Sequence, residues 1–209
     1  MYLPKSFQIE DLAELHAFMR AYNFASLITQ HAGAPFASHL PFMLDAERGP
    51  HGTLLAHMAR ANPQWCDFAA GGEVLVIFQG PHAYISPSWY QTQPSVPTWN
   101  YAIVHAYGVA RIVEDHATLH HMLETLVDAH EAAFEQPWHM DLPHDYLDKM
   151  IRAVVGFEIE ITRLEGKLKL SQNRSEEDQD RVAEALGQSE HPLDRDLAEL
   201  MSGVSNRAL

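Results

Sequence analysis

Cysteine is almost absent from this sequence, and so are long apolar runs and targeting patterns. The single cysteine among 209 residues, Cys66, excludes a disulfide within the chain and fits a reducing compartment. We interpret Cys66, beside Trp65, as a small packing residue rather than a catalytic thiol. No apolar run reaches the roughly 18 residues that a membrane-spanning helix needs. Because the first residues, M-Y-L-P-K-S-F, also lack the basic and then apolar order of a secretory signal, we expect a cytoplasmic protein.

Positive charge is scarce. Lys and Arg together number 14 against 28 Asp and Glu, which gives a formal net charge of -14. Such a field repels nucleic-acid phosphates and acidic membranes, and no basic run offsets it, so direct DNA binding is doubtful. No Lys or Arg lies between Arg60 and Arg111. A phosphorylated ligand would therefore depend on Arg60 and on the cations near the end, which are Arg163, Lys167, Lys169 and Arg174.

Familiar catalytic signatures are missing as well. The chain has no nucleophile elbow, no zinc-protease motif, no paired-cysteine motif, no dinucleotide fingerprint and no P-loop. The 14 histidines raise the question of a metal, and His116, His120 and His121 with Glu124 could place two ligands on one helical turn. A solvated helix face with incidental histidines explains this pattern better. We therefore predict no metal site.

What the sequence has in excess is proline and aromatic residues between Phe78 and Tyr101. This stretch holds two of the four tryptophans and four of the twelve prolines. Proline fixes φ in advance, and Trp and Tyr present broad apolar faces with a polar tip. The composition suits a preorganised platform for a flat ligand or a partner. It equally suits a packed proline loop that closes one end of a barrel.

The periodicity of apolar residues predicts an α+β fold. Helices are expected at residues 9–22, 117–134 and 145–154, the last ended by Gly156, and a short helix is expected to begin at Pro63 with Asn62 as its N-cap. Strands are expected at residues 24–30, 36–44, 53–58, 73–80, 100–115 and 157–164. The last strand is expected to continue through a turn at Gly166. In the strand 100–115, small residues such as Ala106 and Gly108 fall on one face. This order indicates an antiparallel barrel with packed helices. We divide the chain into a domain at 1–175 and an acidic helical tail at 176–209, of which 190–209 is weakly patterned.

Two polar segments are candidates for anion and ligand contacts. In H-M-A-R-A-N-P-Q-W (57–65), Arg60 and Asn62 stand beside free amides at a predicted helix start, a favourable place for an anion. The segment G-K-L-K-L-S-Q-N-R (166–174) suits polar ligand contacts, or else forms a basic edge strand that discourages aggregation. Together with the aromatic stretch, these segments suit a phosphorylated heteroaromatic ligand.

Several long motifs resemble the PaiB family, in the same order and over residues 1–175. They are M-Y-L-P-K-S-F, G-T-L-L-A-H-M-A-R-A-N-P-Q-W, F-Q-G-P-H-A-Y-I-S-P-S-W-Y, V-P-T-W-N-Y and E-G-K-L-K-L-S-Q-N-R. The resemblance implies an FMN-binding split β-barrel related to pyridoxamine-phosphate oxidase and flavin reductases. It also implies a homodimer with flavin sites at the subunit interface. Bacterial members of the family are linked to repression of protease and sporulation genes.

The resemblance also assigns site residues by position. The flavin phosphate is expected near His57, Arg60 and Asn62, with one lysine of the pair Lys167 and Lys169 helping to neutralise it. The ring system is expected near Phe78, Gln79, Gly80, Thr98, Trp99 and Asn100, with Lys169, Ser171, Gln172 and Asn173 completing the site.

Three functions remain open at this point. The first is a PaiB-type transcriptional regulator or redox or metabolite sensor, whose regulation would be indirect because the chain is acidic and shows no helix-turn-helix. The second is a flavin oxidoreductase with a nicotinamide donor, for which His82 and Tyr84 lie in a suitable loop. The third is haem binding or degradation, which split-barrel relatives and the many histidines suggest.

Overall fold

The computed structural model describes residues 1–205 as eight strands, five α-helices and three 3-10 helices. The strands are β1 (Gln8–Ile9), β2 (Phe24–His31), β3 (Ala34–Pro41), β4 (Met43–Asp45), β5 (Thr53–Ala59), β6 (Glu73–Ile85), β7 (Thr98–Ile112) and β8 (Val154–Lys169). The helices are α1 (Leu12–Ala21), α2 (His116–Glu131), α3 (His144–Arg152), α4 (Glu176–Gly187) and α5 (Pro192–Ser205), with 3-10 helices at Lys5–Phe7, Pro63–Ala70 and Pro87–Trp89.

The strands form one sheet in the order β3-β2-β6-β7-β8-β5-β4, and β1 pairs with β8. Antiparallel pairing joins β1 to β8, β2 to β3 and β6, β4 to β5, and β5 to β8. In the last pair, His57 lies opposite Gly156. The predicted α+β class with antiparallel strands is confirmed.

The chain divides into two compact units. The first contains Met1–Phe18, Phe78–His105 and the described residues from Glu165 onward. The second contains Met19–Ile77 and Ala106–Leu164. The long strands β6, β7 and β8 therefore contribute residues to both units. The predicted boundary at residue 175 remains a prediction.

Within the first unit, the C-terminal helices are packed elements. Leu186 of α4 and Leu197 of α5 are completely buried, and Met201 is nearly so. The predicted C-terminal helical tail is confirmed as far as Ser205, but the weak pattern of residues 190–209 gave no sign that α5 packs; residues 206–209 lie outside the described part. The prediction of a turn at Gly166 was also wrong, because β8 runs straight through it. Leu15 and Ile9 pack where a Cβ would stand, so glycine admits these side chains.

Within the second unit, β7 and β8 approach closely at Gly108. A Cβ at this position would overlap the backbone oxygen of Glu160, so only glycine fits there. The predicted small-residue face is confirmed, because Ala106, Gly108 and Ala110 are buried while their neighbours are partly exposed. Three predicted helix ends were wrong: α1 begins at Leu12 rather than at residue 9, α2 ends at Glu131 rather than at residue 134, and α3 ends at Arg152, with Gly156 already in β8.

Candidate functional site

The aromatic stretch divides between strand and fixed loop. Strand β6 continues to Ile85, so the first third of the stretch is sheet rather than loop. A 3-10 helix follows at Pro87–Trp89, where the Ser86 hydroxyl accepts a hydrogen bond from the Ser88 amide at 3.2 Å. Strand β7 begins at Thr98. The segment between the two strands is thus short and locally capped.

A buried carboxylate holds this segment in place. Asp178 on α4 accepts hydrogen bonds from the backbone amides of Gln91, at 2.7 Å, and Thr92, at 3.4 Å. Burial raises the pKa of the Asp178 carboxyl, but these hydrogen bonds and the charge of Arg174 outweigh it, so the pKa lies below its ordinary value. Arg174 also lies over the ring of Tyr90, 4.3 Å from its centroid. The stretch around Tyr90 therefore packs as a closed loop.

The two ends of the stretch, within the same unit, come together at a cavity of about 310 Å³. It is lined by Gln79, His82, Trp99, Tyr101, Ala102 and Ile103. Trp99 is 54% exposed, and its ring stands 6.1 Å from that of Tyr84 and 6.2 Å from that of His82. The Gln79 side-chain amide lies 3.5 Å from His82 Nδ1. An exposed aromatic face beside an amide and an imidazole can hold a flat, hydrogen-bonding ring.

Two lysines at the end of β8 lie close to this cavity. Lys167 is buried, donates to the carbonyl of Tyr2 at 3.1 Å and stands 5.1 Å from the ring centroid of Tyr101, a cavity residue. Lys169 donates to Thr98 Oγ1 and, at 2.7 Å, to the carbonyl of Trp99. Among residues 1–205, neither amine has a carboxylate as a hydrogen-bond or ion-pair partner.

The two cations affect each other. Desolvation is the main cause that lowers the pKa of Lys169; the interaction with Tyr101 partly opposes it, and the positive charge of Lys167 adds a smaller lowering contribution. Two partly desolvated like charges without an anion are electrostatically unfavourable. An anionic ligand group would relieve this repulsion, and we take the pair as the strongest anion-binding feature of this unit.

Several predicted contacts lie beneath the cavity surface. Phe78, Gly80 and Asn100 are buried; Asn100 donates from Nδ2 to Ser171 Oγ at 2.9 Å, while its Oδ1 has no partner among the described residues. Ser171 has a positive φ of 66°. None of these residues lines the cavity, and direct contact with a ligand remains a prediction for them.

Gln172 acts as a local brace. It accepts from the Leu170 amide at 2.7 Å and donates to the Leu168 carbonyl at 2.5 Å. Its side-chain amide is thus committed to the backbone beside the lysines. Asn173 is exposed, and its contact with a ligand also stays a prediction.

In the second unit, Arg60 and Asn62 are held by their own surroundings. Arg60 donates to the carbonyls of Arg152, at 2.8 Å, and Val154, at 2.7 Å, through Nε and Nη2. Asn62 caps the Pro63–Ala70 helix by accepting from the Gln64 amide at 3.0 Å, as predicted. The cap is confirmed, but Arg60 Nε and one N–H of Nη2 are committed to these carbonyls, and its phosphate contact stays a prediction.

His57, in the same unit, is largely buried in β5. Burial lowers its pKa, so the ring is neutral at neutral pH. Its Nδ1 has no partner among the described residues, which leaves a buried imidazole nitrogen able to bond a ligand group. Its predicted role near a phosphate likewise remains a prediction.

Sequence reasoning missed Tyr101, Tyr2 and Asp178. Tyr101 could have been found, because strand alternation places it on the face of β7 opposite the small residues. Asp178 and Tyr2 reach the site from distant parts of the chain, and nothing local in the sequence marks them.

The predicted helix histidines pair with carboxylates instead of gathering around a metal. His116 lies 3.6 Å from Asp148, and His121 lies 3.8 Å from Glu124. In the described part of the chain, no group of three or more His, Cys, Asp or Glu side chains could hold a metal ion. No helix within residues 1–205 is both long and apolar enough to cross a bilayer.

Comparisons with known proteins show which family this chain belongs to and which fold it shares. The family model described as "Putative FMN-binding domain" matches residues 1–163. The chain is 39% identical over 202 residues to "Protease synthase and sporulation protein PAI 2" of Bacillus subtilis, a match that covers 96% of each chain.

Two solved structures share the fold. The flavocytochrome Anf3 of Azotobacter vinelandii matches with a TM-score of 0.60 at 18% identity, covering 82% of this chain and 74% of that one. An FAD- and haem-binding protein of Mycobacterium smegmatis matches with a TM-score of 0.56 at 15% identity, covering 82% and 78%. At sequence identities this low, the similarity shows a shared fold and nothing more. The predicted split-barrel fold is confirmed.

Proposed function

Because this chain belongs to the PaiB family of proteins with an FMN-binding domain, we propose that it binds FMN in the aromatic cavity and acts as a flavin-dependent regulator. The observation that carries the proposal is the pair Lys167 and Lys169, desolvated and without a carboxylate partner in the described chain, beside a cavity with an exposed tryptophan. The pair supplies positive charge, and Trp99 supplies a flat apolar face. FMN combines a planar ring, which Trp99 could stack against, with a phosphate, which the lysine pair could bind.

The side chains fit the ring and the phosphate by chemical type. Trp99 offers a stacking surface, and Gln79 offers both an amide donor and a carbonyl acceptor for the polar edge of the ring. The ammonium groups of Lys167 and Lys169 offer charge-assisted hydrogen bonds to phosphate oxygens. For Arg60 and His57, which belong to the second unit, a phosphate contact stays a prediction that the resemblance implies. Bound FMN would supply reversible electron transfer.

We propose that regulation runs through a protein partner or a metabolite rather than through direct DNA contact. The formal net charge of -14 opposes DNA binding. The relative from Bacillus subtilis is named for protease synthesis and sporulation, which makes a regulatory role the natural proposal here. We also propose a cytoplasmic homodimer, to which the exposed Tyr84, Val96 and Trp99 would contribute apolar surface.

A flavin reductase is the second candidate. One observation favours it: Trp99 and Tyr84 are 54% and 48% exposed, so a second flat molecule can reach the cavity from solvent. Adding NADH or NADPH to the FMN-loaded protein without oxygen tests this candidate. Rapid bleaching of the flavin colour would favour a reductase, and an unchanged colour would favour a binding protein. Haem binding remains a further alternative, to be tested by haem addition.

Titration of FMN with the protein, followed by flavin fluorescence, tests the proposed site. Trp99→Ala should weaken FMN binding roughly two- to tenfold, since an aromatic pair contributes about 0.5–1.5 kcal/mol beyond its buried area. Trp138→Ala is the matched control, because Trp138 is similarly exposed, at 47%, and lies outside the cavity lining. If the wild-type protein fails to bind FMN, the proposal is wrong. Equal loss in both variants would reject this cavity as the site.

A further inference from the structure

The second unit contains a cavity that the flavin proposal does not use. Its volume is about 420 Å³, within the range of small-molecule sites. It lies among β4, β5 and α2, and its walls are mainly apolar, formed by Met43, Leu44, Leu55, Val113 and Met122. Methionine side chains adapt to ligand shape, because they are unbranched and polarizable. None of the residues predicted to hold FMN lines this cavity.

Carboxylates outnumber cations at its polar rim. Arg48 Nη2 donates to Glu158 at 2.7 Å, and Arg48 Nε lies 3.9 Å from Asp45. The pKa of Arg48 is raised chiefly by the hydrogen bond to Glu158, and also by the charges of Glu158, Asp45 and Glu160, despite some burial. The guanidinium is therefore paired with both carboxylates, and both carboxylates keep further acceptor capacity.

The remaining polar groups of the lining are occupied within α2. Thr125 donates to the His121 carbonyl at 2.8 Å, Thr118 donates to Asp115 at 2.7 Å, and His121 pairs with Glu124 at 3.8 Å. Glu158 and Asp45, which share one guanidinium, therefore still have acceptor oxygens to offer a ligand. Such oxygens are best satisfied by a charged donor.

We propose that this cavity binds a small organic cation, with its apolar body among the methionine and leucine side chains and its protonated amine at Glu158 and Asp45. An anion would meet two carboxylates against a single guanidinium that already pairs with them, so the site favours a cation. The negative field of the whole chain raises the local concentration of cations. This site is independent of the flavin proposal and would give the protein a second ligand.

Isothermal titration calorimetry with the full chain tests the proposal, using 1-naphthylmethylammonium as the probe and 1-naphthoate as its counterpart of opposite charge. We expect saturable binding of the ammonium and at least tenfold weaker binding of the carboxylate. Thr125→Trp, which fills the cavity from the exposed side of α2, should abolish binding. Glu158→Gln should weaken ammonium binding about tenfold, the effect of losing a charged hydrogen bond. His130→Trp, on an exposed position of the same helix outside the cavity, should change nothing.

Three results would overturn the inference. They are no saturable ammonium binding, equal binding of the two probes, or binding that survives both Thr125→Trp and Glu158→Gln. FMN titration of Thr125→Trp separates this proposal from the flavin one, because we expect wild-type FMN affinity. Loss of FMN binding there, with unchanged thermal unfolding, would show that the two sites are not independent and would reject this one as a second site.

Discussion

Lys169→Met removes one charge of the proposed phosphate anchor while keeping most of the apolar stem. In the wild type, the Lys169 ammonium bonds Thr98 and the Trp99 carbonyl, is partly desolvated and faces the charge of Lys167. A hydrogen bond to a charged group contributes about 1.5–3 kcal/mol. Losing one to the phosphate should therefore weaken FMN binding roughly 10- to 150-fold. Riboflavin has the same ring without the phosphate, and its affinity should stay within about twofold.

The assay is the ratio of FMN to riboflavin affinity, measured by fluorescence titration of both ligands. The control is Lys149→Met, an exposed lysine on α3. The ratio should fall in Lys169→Met and remain at the wild-type value in the control. Because the pKa of Lys169 is lowered, the wild-type ratio should also fall as the pH rises, at a lower pH than an ordinary lysine would give. An unchanged ratio in Lys169→Met, or an equal loss for riboflavin, would refute the lysine anchor.

The remaining predictions concern Arg60, His57 and Gly108. Arg60→Ala should lower the free energy of unfolding in urea by about 1–3 kcal/mol, because two backbone carbonyls lose their donor. The same substitution should weaken FMN binding, and an unchanged FMN affinity would show that Arg60 is not part of the site. The wild type should lose stability as the pH falls below about 6.5, because the unfolded chain protonates His57 at its ordinary pKa while the buried ring resists protonation. His57→Gln should lose less over that window, and parallel pH curves would contradict this. Gly108→Ala should cost about 1–3 kcal/mol or more in urea unfolding, because its Cβ overlaps the Glu160 carbonyl, whereas Gly72→Ala, with open space around it, should cost little. Equal effects of the two alanines would show that the close approach at Gly108 is not tight.

The spacing of apolar residues along the sequence predicted the helices and strands whose burial follows a simple period. Strand β7 is the clearest case, because alternation alone identifies the buried face of Ala106 and Gly108. The pattern failed at Gly166, where glycine admits the side chains of Ile9 and Leu15 into a continuous strand instead of making a turn. It also gave no sign of the packing of α5, where Leu197 is completely buried. In both cases, contacts with distant parts of the chain decide the structure.

In the candidate site, too, local sequence predicted some features, and contacts between distant residues decided the others. Motif and composition identified the segment carrying Gln79 and Trp99 and the lysine pair, because these residues are concentrated in short stretches. Sequence could not tell that Arg60 is committed to two carbonyls. Nor could it tell that Asp178 fixes the aromatic loop from α4, because both interactions join residues about ninety positions apart.

The proposed regulator differs physically from a DNA-binding repressor. A DNA-binding surface gains affinity by neutralising phosphates with Lys and Arg, and this chain has twice as many acidic as basic residues. If it regulates transcription, flavin or ligand binding would have to alter a surface that a protein partner recognises. The exposed aromatic residues beside the cavity, Trp99 and Tyr84, are the first places to examine for such a change.

The central claim is that this chain binds FMN, and the visible absorption spectrum of the purified protein tests it most directly. The protein is incubated with excess FMN, freed of unbound flavin by gel filtration and scanned. We expect flavin bands that elute with the protein at close to one FMN per chain. A spectrum without flavin after this treatment would contradict the account, and a Soret band in its place would point to haem.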